Sequence, residues 1–187
     1  MKRIKLVCLL IGIMGAQWVA AQRYYTKSGK ISFYSKAPME NIEAHNIKGV
    51  SVFDIASGRL EFSVLLKGFE FEKAKMQEHF NENYVESDKY PKAVFTGNIK
   101  DASGLKLDKD GTYTVQVSGT LNMHGITKPQ NAQATFTVKG GAISAVSEFT
   151  VLLADYDIKI PSLVADKVSK NVRIVINIPS YQPMSGS

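Results

Sequence analysis

The sequence predicts an all-β fold: about eight antiparallel strands in one unit, arranged as a sandwich or a barrel, with a short helical insert near residues 72–81. Three observations carry this prediction. Apolar and polar residues alternate with period two along most of the chain, as half-buried strands require. Turn signals punctuate the alternating runs at Ser57-Gly58, Ser103-Gly104, Asp110-Gly111 and Gly140-Gly141, and short connections of this kind favour antiparallel neighbours. No repeat, linker or low-complexity tract divides the 187 residues, so a single domain is the simplest organisation.

The strands are predicted at residues 30–36, 42–54, 59–67, 92–100, 112–123, 131–139, 142–153 and 171–178. In the third, Leu60, Phe62, Val64 and Leu66 alternate with Glu61, Ser63, Leu65 and Lys67. In the fifth, Tyr113, Val115, Val117, Gly119 and Leu121 alternate with Thr114, Gln116, Ser118 and Thr120. Ala132, Ala134, Phe136 and Val138 continue the pattern, as do Phe149, Val151 and Leu153, and then Val172, Ile174, Ile176 and Ile178. The opposite face carries Thr135, Thr137, Arg173 and Asn177, so the apolar set points inward. No outward apolar band of the kind lipid-embedded barrels carry is present.

Residues 68–91 break the alternation. A structureless loop of that length is unusual in a compact domain, and Lys73 to Glu78 are good helix formers. Met76 and Phe80 lie four apart and share a helix face. Pro91 then restarts an extended chain. Six acidic and three basic residues make this insert net negative. A short amphipathic helix there could cover one end of a barrel. Residues 154–169, with Asp155, Asp157 and Pro161, read as a second long loop.

The N-terminus reads as a secretory leader. Lys2, Arg3 and Lys5 precede the apolar run Leu6–Ala16, and Val19-Ala20-Ala21 offers small residues for cleavage after Ala21. The division is therefore 1–21 leader and 22–187 mature domain. The leader holds the only cysteine, Cys8, and three of the 23 basic residues. The mature chain then carries 20 basic against 17 acidic residues, a net charge of +3. So modest an excess, with no basic run interleaved with aromatics, gives no support to nucleic-acid binding. The apolar run is shorter than the roughly 20 residues of a spanning helix. A mildly basic surface is compatible with transient contact with a membrane surface.

Chemistry-bearing motifs are sparse. His45, His79 and His124 occupy separate segments without metal-ligand spacing. His124 is expected to orient a turn, His79 to pack beside Phe80, and His45 to lie at the surface. Asp155 and Asp157 could face the same way on an extended segment, but paired carboxylates are common in loops. Lys128 and Lys159 are expected to be solvated, although either could meet an anionic headgroup. No G-x-S-x-G, P-loop or G-x-G-x-x-G motif is present, so no catalytic residue, metal or cofactor is expected. An eight-stranded barrel can be filled by side chains or left open for one small ligand, and periodicity does not choose between them.

Two motifs resemble the YceI-like family. The first is Met76-Gln77-Glu78-His79-Phe80-Asn81-Glu82-Asn83-Tyr84-Val85-Glu86-Ser87-Asp88-Lys89-Tyr90-Pro91-Lys92-Ala93-Val94-Phe95, and the second is Gly119-Thr120-Leu121-Asn122-Met123-His124-Gly125-Ile126-Thr127-Lys128-Pro129. The resemblance extends over most of the mature chain. It implies a lipocalin-like antiparallel barrel in the periplasm or outside the cell, with a helix beside its mouth. Some members of the family bind a polyisoprenoid inside. By that resemblance, the ligand-binding residues would be Phe62, Val64, Phe95, Tyr113, Val115, Val117, Phe136 and Phe149, joined by Met76 and Phe80 from the helix. The sequence departs from the family at Ala154-Asp155-Tyr156-Asp157-Ile158, where many members have Ser-Arg before an Asp-Phe-Gly-Ile-like run; a basic contact to a headgroup is missing there.

The reading that follows is a non-enzymatic binding or carrier protein for an apolar lipid, isoprenoid or fatty-acyl, held in the barrel with the helix gating the mouth. The alternative is a cell-envelope interaction module, with a packed barrel and the acidic insert as its docking surface. An enzyme acting on a sequestered apolar substrate ranks last, because no nucleophile and base are recognisable.

Overall fold

The structure, a computed structural model, describes residues 23–184. The predicted leader lies outside the described residues. Nine strands form among the described residues: β1 (Arg23–Lys36), β2 (Asn41–Asp54), β3 (Arg59–Leu65), β4 (Glu70–Phe71), β5 (Lys92–Ile99), β6 (Gly111–Met123), β7 (Ile126–Lys139), β8 (Ala142–Leu152) and β9 (Asn171–Pro183). Eight of them, all but β4, follow one another round a closed antiparallel barrel, which β1 completes by pairing with both β9 and β2. The expected lipocalin-like all-β class is the class observed. The two-residue β4 pairs with Ala44 and His45 of β2, above the stretch where β3 pairs with Val50–Phe53.

Between those two pairings the wall is patched by a side chain. Asn46 is almost completely buried. Its Nδ2 donates to the Leu65 carbonyl at 2.9 Å, and its Oδ1 accepts from the Lys48 amide at 2.9 Å. A buried amide so satisfied replaces ladder bonds that the departing chain cannot supply. Gly68 passes so close that a Cβ there would meet Asn46 Nδ2 at 2.6 Å.

Three strands run further than their alternation predicts. β1 begins by residue 23 because its pairing with β2 shifts register around Gly29, which scrambles the pattern at Lys27–Lys30. β7 includes Pro129, which a central strand would exclude. Here β7 pairs with β8 only from Gln133 onward, so Pro129 has a ladder partner on β6 alone. β9 continues past Pro179 through a register shift between the Ala145–Ile178 and Ile143–Tyr181 pairs.

The lower half of the barrel is solid. Phe53, Phe136 and Tyr181 form an aromatic cluster with ring centroids 5.4 to 6.4 Å apart. Phe62 lies against the cross-strand pair Gly29–Gly49, where a Cβ on Gly49 would stand 2.5 Å from its ring. Phe95 lies against Gly97, itself paired with Gly119. Rings laid onto strand glycines fill the space the missing side chains leave.

Tyr181 is the polar member of this core. Its hydroxyl meets Ser51 Oγ at 2.9 Å, and Ser51 donates to the Glu61 carbonyl at 2.9 Å. Tyr181 therefore donates to Ser51. Burial pushes the phenol up from 10.0 to about 12, against a smaller lowering by the Ser51 bond. Below pH 10 both folded and unfolded chains keep this proton. Above it the unfolded chain ionises first, so stability falls as pH rises from 10 towards 12. The full loss is about 3 kcal/mol. Urea melts between pH 9 and 12 should show this decline in the natural chain and a flatter profile in Tyr181→Phe, with equal slopes in both as the contrary result.

Candidate functional site

The upper half of the barrel is hollow. A cavity of about 610 Å³ opens there, inside the 300–1,000 Å³ range of small-molecule sites. Strands supply Ile31, Phe33, Val64, Leu121, Val151 and Ile174 to its wall. The insert supplies Met76, Phe80, Tyr84 and Val85, and the loop after β8 supplies Ile158, Leu163 and Val164. The lining is overwhelmingly apolar. Polar side chains such as Glu40, His79, Asn83 and Lys167 complete it. A second void, of about 40 Å³, lies in the packed half among Phe62, Phe95, Val117, Phe136 and Tyr181.

The insert is built to present its aromatics. The α-helix (α1) covers Ala74–His79, with extended Lys73 preceding it, and continues as a π-helical turn over Phe80–Tyr84. The helical run is thus displaced a few residues from the predicted 72–81. Lys73 makes no side-chain cap, and the wider turn closes with the Val85 amide on the Phe80 carbonyl at 3.0 Å. That turn seats Phe80 against Phe33, Phe69 and Phe71, with centroids 5.1 to 5.7 Å apart. π-turns of this kind recur at functional sites.

Two contacts join the elements around the mouth. Lys73 Nζ reaches Glu40 Oε1 at 3.1 Å, linking the insert to the β1–β2 hairpin. The Met39 amide donates to the Asp166 carbonyl at 3.0 Å, linking that hairpin to the long loop. Met39 and Leu163 project into solvent, 70% and 92% exposed. Burial pushes the Tyr84 phenol above its ordinary value, so it meets the cavity uncharged.

His124 fastens the hairpin end of β6–β7 to the cover. It and Gly125 form the two-residue loop, both at positive φ (53° and 75°). Its Nδ1 donates to the Tyr156 carbonyl at 2.7 Å, and its Nε2 lies 2.8 Å from Glu86 Oε2. Tyr90 packs edge-on to the imidazole at 4.7 Å. One side chain thus holds both the insert and the loop after β8. Tyr156 and Ile158 in that loop are buried, beside the place where β7 and β8 part.

The ten residues named by resemblance divide between three places. Val64, Met76, Phe80 and Phe149 line the large cavity. Phe62, Phe95, Val117 and Phe136 surround the small void instead. Val115 is buried in the core, and Tyr113 packs against it with its hydroxyl donating to the Lys109 carbonyl at 2.9 Å. The resemblance did not single out Phe33, Leu121 and Met123, although their inward register is readable from the alternation. The loop residues Ile158, Leu163 and Val164 carry no such signal.

The other polar candidates lie apart. His45 is half-buried and bonds Ser32 Oγ at 2.8 Å. His79 is exposed and accepts from Asn83 at the rim, 3.0 Å away. Asp157, at positive φ, pairs with Lys159 at 3.7 Å, and Asp155 and Lys128 are exposed. Among the described residues, no three histidines, cysteines or carboxylates gather as a metal site, and no helix is long and apolar enough to cross a membrane.

Comparison with known proteins gives this geometry a lineage. A polyisoprenoid binding domain from Saccharophagus degradans, implicated in plant cell wall breakdown, superposes with a TM-score of 0.73 over 88% of this chain and 99% of its own, at 15% identity. BcnA of Burkholderia cenocepacia matches with a TM-score of 0.68 over 82% of this chain and 96% of its own, at 17% identity. A UPF0312 protein of Pseudomonas putida (strain GB-1) is 30% identical over 98 residues, which span 49% of this chain and 47% of that relative. The family model for the YceI-like domain matches residues 24–179, and the chain therefore belongs to the YceI-like family.

Proposed function

We propose that this chain is a non-enzymatic binding protein that carries or stores an apolar lipid, an isoprenoid or fatty-acyl chain, in the upper half of its barrel. The observation that carries the proposal is the 610 Å³ apolar chamber beneath the helical insert. Burial is the whole mechanism. Each methylene taken from water into such a chamber contributes about 0.8 kcal/mol, so a dozen supply roughly 10 kcal/mol before the costs of ordering and association. The insert, seated through Phe80 and tied to the rim by Lys73, is the element that opens for entry. The polyisoprenoid-binding relative supports the chemical class. The leader-like N-terminus supports work in the periplasm or outside the cell.

Native mass spectrometry of the mature chain purified from its own host tests this reading. A bound mass that organic extraction recovers as an isoprenoid or acyl lipid is the expected result. A protein that stays empty and takes up neither prenols nor fatty acids overturns it. Recovery of a stoichiometric protein partner in place of lipid would favour an envelope interaction module.

A further inference from the structure

We propose that Phe149 is the stop that fixes how long an apolar chain this barrel accepts, an inference that rests on the lipid-holding function above. The chamber and the small void below it share one bordering residue, Phe149. Its ring stands where the chamber ends and the packed half begins.

The inner face of β8 leads downward from Phe149 through Ser147 and Ala145, with Ala134 facing Ser147 in register on β7. These small side chains border the 40 Å³ void. Ser147 Oγ is already committed to the Gln133 carbonyl at 2.8 Å, so its hydroxyl does not oppose an apolar tail. The pairing of β7 with β8 stops at Glu148, one residue before Phe149. Phe149 therefore has a ladder partner only on β9, Ile174. Of the four other rings beside the void, Phe62 and Phe95 are pressed onto strand glycines, Phe136 and Tyr181 pack on each other, and none borders the chamber. Removing the Phe149 ring therefore joins the two spaces along β8, while removing any of the other four enlarges only the lower one.

The test offers two equimolar series to the delipidated protein, saturated fatty acids and linear prenols of stepped length, and reads the bound species by native mass spectrometry. The natural chain should show a length optimum in at least one series. Phe149→Ala should move that optimum one or more steps longer, and Phe149→Trp should move it shorter. In the Phe149→Ala background, Ala145→Leu refills the freed space and should return the optimum towards its original length. Identical optima in the natural chain and Phe149→Ala would overturn the stop while leaving lipid binding intact. A natural chain that takes up no member of either series would remove lipid binding itself, and the stop with it. Phe149→Leu supplies the same comparison if the alanine variant fails to fold.

Discussion

Ala93→Trp is expected to empty the barrel without unfolding it. Ala93 lines the chamber at the insert end of β5, in register with Val64 on β3. An indole placed there enters open space, so the overpacking cost of a filled core is avoided. The ring occupies volume that a ligand would need. Displacing about four methylene groups forfeits roughly 3 kcal/mol, a weakening on the order of a hundred-fold. Lipid retained after gel filtration, set against the thermal midpoint, checks both halves of the expectation. Undiminished retention with an unchanged midpoint would place the ligand elsewhere.

The largest stability effect is expected from the smallest substitution. Gly119→Ala puts a methyl group 2.3 Å from the Thr96 carbonyl oxygen and 2.5 Å from the Gly97 Cα, both backbone atoms of the neighbouring strand. Neither can rotate away, so β5 and β6 must separate. A loss of about 3 kcal/mol is expected, the upper end of the usual cost of overpacking. Gly104→Ala is the control, because nothing lies within 4 Å of a Cβ built there; its effect should stay within about 0.5 kcal/mol, as for ordinary surface changes. Chemical denaturation of the two variants gives the comparison directly. Equal midpoints would show that the strands spread freely at this pair.

The alternation of Val115, Val117, Phe136 and Ile176 was enough to place these residues on one face, but it left sandwich and barrel equally open, and closure into a barrel was implied only by the resemblance to the YceI-like family. Residues such as Lys27–Lys30, Pro129 and Pro179 misled the pattern because bulges and one-sided pairing tolerate sequences that regular central strands exclude. The division of the interior was not legible. Phe62 and Phe149 are both inward phenylalanines with identical local signals. What separates them is tertiary: Phe62 meets Gly49 on the neighbouring β2 and Gly29 on β1 beyond it, whereas Phe149 faces the chamber. The predicted insert carried Met76 and Phe80 to the mouth, but its π-turn depends on the aromatic cluster that Phe80 joins. The loop after β8 contributes to the wall through contacts that no periodicity encodes.

The glycine-seated rings below the chamber also bear on where the protein tolerates substitution. Tight complementarity is concentrated there, where Phe62 and Phe95 tolerate little change in their neighbours. Ala93, Leu121 and Met123 instead border unfilled volume, where exchange of one apolar side chain for another meets few fixed partners. Apolar exchange should therefore cost less stability at the chamber wall than among the glycine-seated rings beneath it.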